Sequence, residues 1–543
     1  MQRRRFLKNS LGLATGALVA PTLGTMGAQA ATSSTVSTGP AVPARPSRFS
    51  HRLPSTDQNY KRTAPYIEDD PIPEYTWASD EAYEAFLDMK YGVRIHWGLY
   101  SIYGMSAVSW PFLGNRQPPF DFARRQEYNQ LYKTWNPTGF DADEWMSTFA
   151  ESGMKMFAFT TKHHDGFSMF DTKARVKRRA DWTAPGGPKI ESCDLAYSIM
   201  ETPFKRDIVR EVVDAGRRHG LKVDLYFSHT DFYDADFRPY GYHPFQVPGS
   251  RELAAAQAHD EPLTEFQRAL GRLRDMVVYQ PDPSPEDEAR MIQRHRTQVK
   301  ELLTNYGPID MMCLDIWLGP RVWPQLRETM LELRKLQPNV MFRARGIGNY
   351  GDYYTPEGFV PGAKENSDAP WFVIYPLGNG FAYDPEPGQY KGAKWIVDNL
   401  VDSAAKGGNF MVGIGPDALG RFDPEAISQI REVGRWLRKN GVGIYATRPR
   451  DGALWHENDD TRFTRSKDQR TVYCHSLKWP GPELRLFTVA VRPGGRIVCL
   501  GAPDFPIRWS QTEREGLRIQ CPDALRDAIP ADERLAFSFA IDV

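Results

Sequence analysis

The chain has 543 residues, 41% of them hydrophobic, and its 68 Lys and Arg balance 68 Asp and Glu. That length exceeds one typical domain and predicts two. The zero net charge argues against the basic footprint of a nucleic-acid binder or a polybasic membrane binder.

The N-terminus carries Arg3-Arg4-Arg5-Phe6-Leu7-Lys8, then the apolar run LGLATGALVAPTLG, then Ala28-Gln29-Ala30. This fits a twin-arginine export signal over residues 1–30, cut after a small-residue site. A basic disordered tail is the plainer alternative. The run is too short and too rich in Gly and Ala for a membrane-spanning helix, and no other stretch spans a membrane. The mature protein is expected in a bacterial periplasm or outside the cell. Residues 31–75, rich in Ser, Thr, Pro and charge, read as a flexible leader.

From residue 76 short apolar runs alternate with amphipathic helices. Tyr91–Trp97 is a strand, 141–152 a helix with Asp141 at its start, and Lys155–Thr160 a strand. A helix over 204–219 stops at Gly220, and Lys222–Phe227 is the next strand. A long helix over 289–306 precedes the strand Ile309–Leu314. Trp323–Gln337 is a helix stopped by Pro338, followed by strands at Val340–Arg343 and Phe372–Tyr375. Helix 391–406, strand 409–416 and helix 423–440 complete the series.

Repeated strand–helix units mean a parallel sheet with helical crossovers. Their number favours a (β/α)8 TIM-like barrel over 76–448, with an insertion at about 230–290. No G-x-G-x-x-G follows the first strand, against a dinucleotide fold. After residue 448, short β-rich runs between turns indicate a small C-terminal all-β sandwich domain, 449–543. Five cysteines, Cys193, Cys313, Cys474, Cys499 and Cys521, show no metal-ligand spacing. One disulfide among the last three and buried free thiols are equally compatible with the sequence.

In such a barrel the chemistry sits where strands end at the C-terminal mouth. The strand ends supply His96 and Trp97; Lys162, His163, His164 and Asp165; Tyr226, Ser228, His229 and Asp231. They continue with Asp315 and Trp317, then Arg343 and Arg345, with Glu357 in a Pro/Gly loop beyond. Asp315 is the sharpest signal, because an acid ending an apolar strand is partly desolvated and requires compensation. The structural alternative is that Asp315 caps the following turn, that Glu357 is a solvated surface carboxylate, and that the histidines satisfy loops. A metal site is disfavoured: adjacent residues on an extended strand point to opposite sides, and no H-x-H, H-E-x-x-H or Cys spacing appears. No G-x-S-x-G elbow supports a serine hydrolase. Two carboxylates in an aromatic-rich mouth fit glycoside hydrolysis, one attacking the anomeric carbon and the other moving the proton.

Several stretches together resemble the α-L-fucosidases of glycoside hydrolase family 29. They are KYGVRIHWGLYS (90–101), TKHHDGF within 140–171, KRDIVREVVDAGRRHGLKVDLYFS (205–228), GPIDMMCLDIW (307–317), YTPEGFVPG (354–362) and AAKGGNFMVGIGPDALGRF (404–422). The resemblance implies a retaining exo-glycosidase without metal or cofactor, acting on fucosylated oligosaccharides or glycoconjugates. It implies Asp315 as nucleophile and Glu357 as acid/base, with His96, Trp110, His163, His164, Tyr226 and Arg345 gripping the sugar. Two departures stand out: Ser109 where the family has Glu, and Cys313 where it has Trp. They imply a lost polar contact and a wider pocket floor, and leave open a related sugar such as an α-L-galactoside, or a non-hydrolysing sugar-binding barrel.

Overall fold

The computed structural model describes residues 49, 51–113, 120–238, 240, 243–245, 283–356 and 369–543. The first strands in chain order are β1 Tyr91–Ile95, β2 Met156–Lys162, β3 Val176–Asp181, β4 Lys189–Leu195 and β5 Lys222–Ser228. They are followed by β6 Met311–Asp315, β7 Met341–Phe342, β8 Phe372–Pro376 and β9 Asn409–Ile414. β3 and β4 form an antiparallel hairpin that the sequence reading did not foresee. The other seven make one parallel sheet in the order β7-β6-β5-β2-β1-β9-β8. Between β7 and β8, Tyr353 bridges to Arg343 and Tyr354 to Trp371, both in the parallel sense. Tyr354 N–H donates to Pro370 O at 3.1 Å and Phe372 N–H donates to Tyr354 O at 3.3 Å. This short stave completes the eighth position of a (β/α)8 barrel.

The strands read as apolar runs because both faces are covered, one by helices and one by the barrel interior. Helices start where a side chain can satisfy the first free N–H groups. Asp141 caps Ala142–Glu151, Asp207 caps Ile208–Arg218, Asp423 caps Pro424–Asn440, and Ser284 with Asp287 makes a capping box on Pro285–Thr304. The helix over 208–218 ends at Gly220, whose φ of +73° suits glycine.

Inside the barrel, side chains alternate along each strand and stack in layers. The lowest layer is apolar: Met156, Met311, Met341 and Met411 pack with Phe86 and Met89 of the helix Asp80–Met89. Gly92 belongs to this level, since a Cβ there would lie 2.4 Å from Met156 Cγ. One step up, register aligns Arg94 with Ala158 and Ala158 with Asp224. The next step aligns Thr160 with Tyr226, and the mouth is reached where Ser228 pairs with Asp315.

The stretch expected as a leader is folded from His51 onward. Helix Gln58–Thr63 is capped by Asp57, and Leu53, Ile67 and Tyr75 are buried. This strap is tied to the loop after β7: Trp77 Nε1 donates to Asn349 O at 3.0 Å and Asn349 Nδ2 donates to Asp69 O at 2.7 Å. Most of the expected insertion, 246–282, lies outside the described residues, as do residues 1–48.

The C-terminal strands are β10 His456–Asn458, β11 Thr461–Arg465, β12 Thr471–Ser476, β13 Glu483–Leu486, β14 Ile497–Cys499, β15 Trp509–Thr512, β16 Gly516–Gln520 and β17 Phe537–Asp542. They form antiparallel sheets ordered β10-β11-β12-β17-β14 and β13-β16-β15. Phe463, Leu486, Leu517, Ile519 and Phe539 form their common core. All five cysteines are free thiols, and Cys474, Cys499 and Cys521 are buried there. The domain is bonded to the barrel helices: Trp436 Nε1 donates to Ala536 O at 2.9 Å and Arg462 pairs with Asp402 at 2.7 Å. Among the described residues no helix is long and apolar enough to cross a membrane.

Candidate active site

A cavity of about 440 Å³ opens at the C-terminal mouth of the barrel. Asp315 ends β6 at its floor, and the lining includes His96, Trp110, His163, Tyr226 and Arg345. A larger cavity of about 640 Å³ lies at the opposite end, beside Lys222, Asp310 and Met341 where strands begin. Its Lys222 and Asp310 bind each other at 2.8 Å.

Asp315 is 7% exposed. Tyr226 donates its hydroxyl to Oδ2 at 2.7 Å. Arg345 Nη1 donates to Oδ1 at 2.7 Å and Arg343 Nη1 to the same oxygen at 3.3 Å. His164 Nε2 stands 3.6 Å from Oδ2. Burial pushes the Asp315 carboxyl up, but Arg345 and Arg343, helped by His164 and Tyr226, outweigh it and hold its pKa well below 3.8. The group is an anion at every physiological pH. The alternative that Asp315 caps a helix is not observed: the next helical turn begins at Pro320, with Gly319 at its cap position.

The backbone is strained on both sides of the cavity. Ile316, directly after Asp315, has φ +63°, and Val108, before Ser109, has φ +53°. β-branched residues avoid this region, and such positions cost about 1–3 kcal/mol each. Gly346 is required opposite, because a Cβ there would meet Ile316 O at 2.4 Å.

His163 and His164 do not point to opposite sides as expected. β2 ends at Lys162, and the pair sits in the turn beyond. Their rings lie 4.4 Å apart, His163 stacks 5.8 Å from Tyr226, and Trp110 packs 4.6 Å from His164. His164 Nδ1 shares a hydrogen bond with Thr230 Oγ1 at 2.9 Å. Burial lowers the pKa of His96 and His163 well below 6.5 and that of His164 to about 4. All three are therefore neutral rings, each able to accept at one nitrogen and donate at the other. Among the described residues, no group of three His, Cys, Asp or Glu side chains is arranged to hold a metal ion.

Each of the two departures has partners in the structure. Ser109 is fully buried and shares a 2.5 Å hydrogen bond with His163 Nδ1. It orients that ring. Cys313 does not open the floor. It is fully buried, and Arg94 Nη1 and Arg343 Nη1 donate to its sulfur at 3.1 and 3.2 Å.

The structure thus brings together Asp315, His96, Trp110, His163, His164, Tyr226 and Arg345. Glu357 lies outside the described residues; Thr355 and Pro356, just before it, line the cavity. Lys162 and Asp231, both strand-end candidates, face away into a separate ion pair. Sequence reasoning passed over Arg94, Asp224 and Phe381. Alternation along YGVRIHW and KVDLYFS puts Arg94 on the side of His96 and Asp224 on the side of Tyr226, so a charge inside an apolar strand was the available signal. Phe381, 5.0 Å from His96, follows β8 in a loop without periodicity and gave none.

Residues 68–442 match the family model described as Alpha-L-fucosidase. The plasma alpha-L-fucosidase of Pongo abelii is 25% identical over 477 residues, covering 84% of this chain and 90% of that protein. The tissue alpha-L-fucosidase of Homo sapiens is 24% identical over 499 residues, covering 89% and 92%. Among solved structures, alpha-L-fucosidase isoenzyme 1 from Paenibacillus thiaminolyticus superposes with a TM-score of 0.65 at 24% identity, covering 85% of this chain and 99% of that one. An alpha-L-fucosidase from Bacteroides thetaiotaomicron, solved as a covalent intermediate trapped with 2-fluoro-fucosyl fluoride, gives 0.64 at 22% identity, covering 87% and 99%.

Proposed function

The chain belongs to the α-L-fucosidase family of glycoside hydrolases, and from that premise we propose a retaining double displacement with Asp315 as nucleophile and Glu357 as acid/base. Asp315 forms a bond to the anomeric carbon of a terminal α-L-fucosyl residue as the bond to the aglycone oxygen breaks. Glu357 gives that oxygen its proton, then takes one from the water that releases the sugar. The observation that carries this reading is the buried Asp315, held ionised by Arg345 and Arg343, on the floor of the cavity at the barrel mouth. The Glu357 assignment rests on the T-P-E loop of the sequence.

His96, His163 and His164 offer neutral donors and acceptors for ring hydroxyls. Arg345 and Tyr226 hold the nucleophile and border the same space. Val108, Ile374, Pro376 and Phe381 also line the cavity, without hydrogen-bonding side chains. This apolar lining suits the C5 methyl of fucose better than the hydroxymethyl of an L-galactoside. Export by the twin-arginine signal in residues 1–30 and action on fucosylated glycans outside the cytoplasm complete the reading.

Replacing Asp315 with Gly or Asn is expected to lower release of 4-nitrophenol from its α-L-fucoside by about 10³-fold or more, with the fold intact. Azide added to the Gly variant should restore turnover and yield fucosyl azide of inverted configuration. A Glu357→Ala variant with azide should yield the retained configuration. Turnover near the wild-type rate in Asp315→Asn overturns the assignment.

A further inference from the structure

Under Asp315 lies a second inward ring that the two-carboxylate chemistry does not use: Arg94 on β1, Asp224 on β5, Cys313 on β6 and Arg343 just past β7. None is more than 3% exposed. Arg343 Nη1 is a shared atom, reaching Cys313 Sγ at 3.2 Å below and Asp315 Oδ1 at 3.3 Å above. Arg94 places its guanidinium 4.3 Å over the ring of Tyr226, whose hydroxyl donates to Asp315. Both arginines therefore act on the nucleophile, one directly and one through the phenol.

Asp224 faces the same interior, in register with Arg94 across Ala158, and supplies the negative charge of that ring. It lies within the electrostatic reach of Arg94 and Arg343, and neither of its oxygens accepts a well-formed hydrogen bond. Burial raises its pKa to about 6, against the pull of Arg94, Arg343 and the Cys313 backbone N–H. An acid so placed is costly in a barrel interior, and the methionine layer beneath shows that apolar side chains fill this barrel well. The mouth and floor together hold three guanidiniums, Arg94, Arg343 and Arg345, against two carboxylates, Asp315 and Asp224.

We propose that Asp224 is a positioning residue for Asp315: by sharing Arg94 and Arg343 it limits the positive charge that reaches the nucleophile, and so balances the two steps of the reaction. This rests on the retaining-fucosidase reading above. Without the Asp224 charge, three guanidiniums face one carboxylate. Asp315 is then held more tightly. It becomes a poorer nucleophile when its oxygen bonds to the anomeric carbon and the aglycone departs with a proton from the acid. It becomes a better leaving group when water attacks that carbon and the electron pair of the broken bond returns to Asp315. The first step slows and the second does not.

The test uses Asp224→Asn, and Asp224→Ser as a smaller second variant, in the full chain. Three quantities are read: kcat/KM for 4-nitrophenyl α-L-fucoside, which reports the first step; the rate at which an isolated 2-fluorofucosyl-enzyme regains activity, which reports the second; and Tm. The expected result is kcat/KM lowered about tenfold, reactivation equal to or faster than wild type, and Tm not lowered, because a costly buried anion has been removed. Unchanged kcat/KM, equal slowing of both steps, or activity lost together with Tm in both variants overturns the proposal. Wild-type enzyme that releases no fucoside overturns the functional reading and this inference with it. Wild-type turnover matched by Asp224→Asn overturns this inference alone.

Discussion

Two buried ionic clusters start from neighbouring residues and end in opposite roles. Lys162 closes β2 and His163 follows it. His163 enters the cavity, whereas Lys162 turns to Asp231 at 3.6 Å. Asp231 is also paired with Arg294 from the helix Pro285–Thr304, and Arg294 stands 3.5 Å from Asp234. In this second cluster every charge ties one chain segment to another, and its side chains are 0–3% exposed. Around Asp315 the donors converge on a single carboxylate that faces open space. Both clusters contain perturbed carboxylates: Asp231 is held at about 2 by Arg294 and Lys162 against its burial, as Asp315 is held low by its arginines. A shifted pKa alone therefore does not mark a reactive group. What separates the clusters is the cavity that opens beside Asp315.

The sharpest way to break this comparison is to remove one cation from the closed cluster. Arg294→Met leaves Asp231 and Asp234 buried without their main partner. Loss of one member of a buried ion pair costs about 3–5 kcal/mol. Thermal unfolding should show a clear drop in Tm, while the molecules that remain folded keep their kcat/KM on an aryl fucoside. A fall in kcat/KM at unchanged Tm would place Arg294 in the catalytic machinery and erase the distinction.

The open cluster predicts the reverse pattern. On the proposed reading, His163→Phe and His164→Phe each remove hydrogen bonds to a sugar hydroxyl from a packed ring. The expected loss is about 10- to 100-fold in kcat/KM, equivalent to roughly 1.4–2.8 kcal/mol of transition-state binding, with Tm near that of wild type. Neither added zinc nor a chelator should change the wild-type rate. Dependence on metal would turn the histidines into ligands and require the site to be rebuilt around an ion.

The sequence made the barrel legible because its signals are local. Strand and helix alternate with caps at Asp141, Asp207 and Asp423, and the apolar run Met311–Leu314 ends on an acid. Asp315, Tyr226 and the histidines were readable because strand ends share one mouth. The closed cluster was not readable: Lys162 and Asp231 are charges at strand ends like the others, and the partner that claims them, Arg294, lies 63 residues beyond Asp231. The strap at 51–75 was misread for a related reason. Its composition is that of a linker, and its order comes from contacts such as Asp69 with Asn349, 280 positions away. The stave at Tyr353–Tyr354 is too short for any periodicity.

Acid separates the two clusters once more, with a smaller effect. The carboxylates Asp315 and Asp231 have folded pKa values below the ordinary value of 3.8. Their stabilisation is full above that value and is lost only as pH falls through their folded pKa values. The histidines behave at higher pH. His164 and His229 sit at about 4 because burial disfavours their charged forms. An unfolded chain takes up protons on these rings from about pH 6.5 downward while the folded chain does not. Stability present above pH 6.5 is therefore lost between 6.5 and 4, by about 1.4 kcal/mol per pH unit for each such histidine. Tm measured across that window should decline less steeply in His164→Phe than in wild type. Asp231→Asn should instead steepen the decline: Asp234, whose pKa burial and the Asp231 charge raise to about 7, then titrates lower and offsets less of the histidine loss. Equal slopes in His164→Phe and wild type would mean that His164 is protonated in the folded protein. It would then face Asp315 as an imidazolium, and the mouth of the barrel would be built on an ion pair like the one sealed behind it.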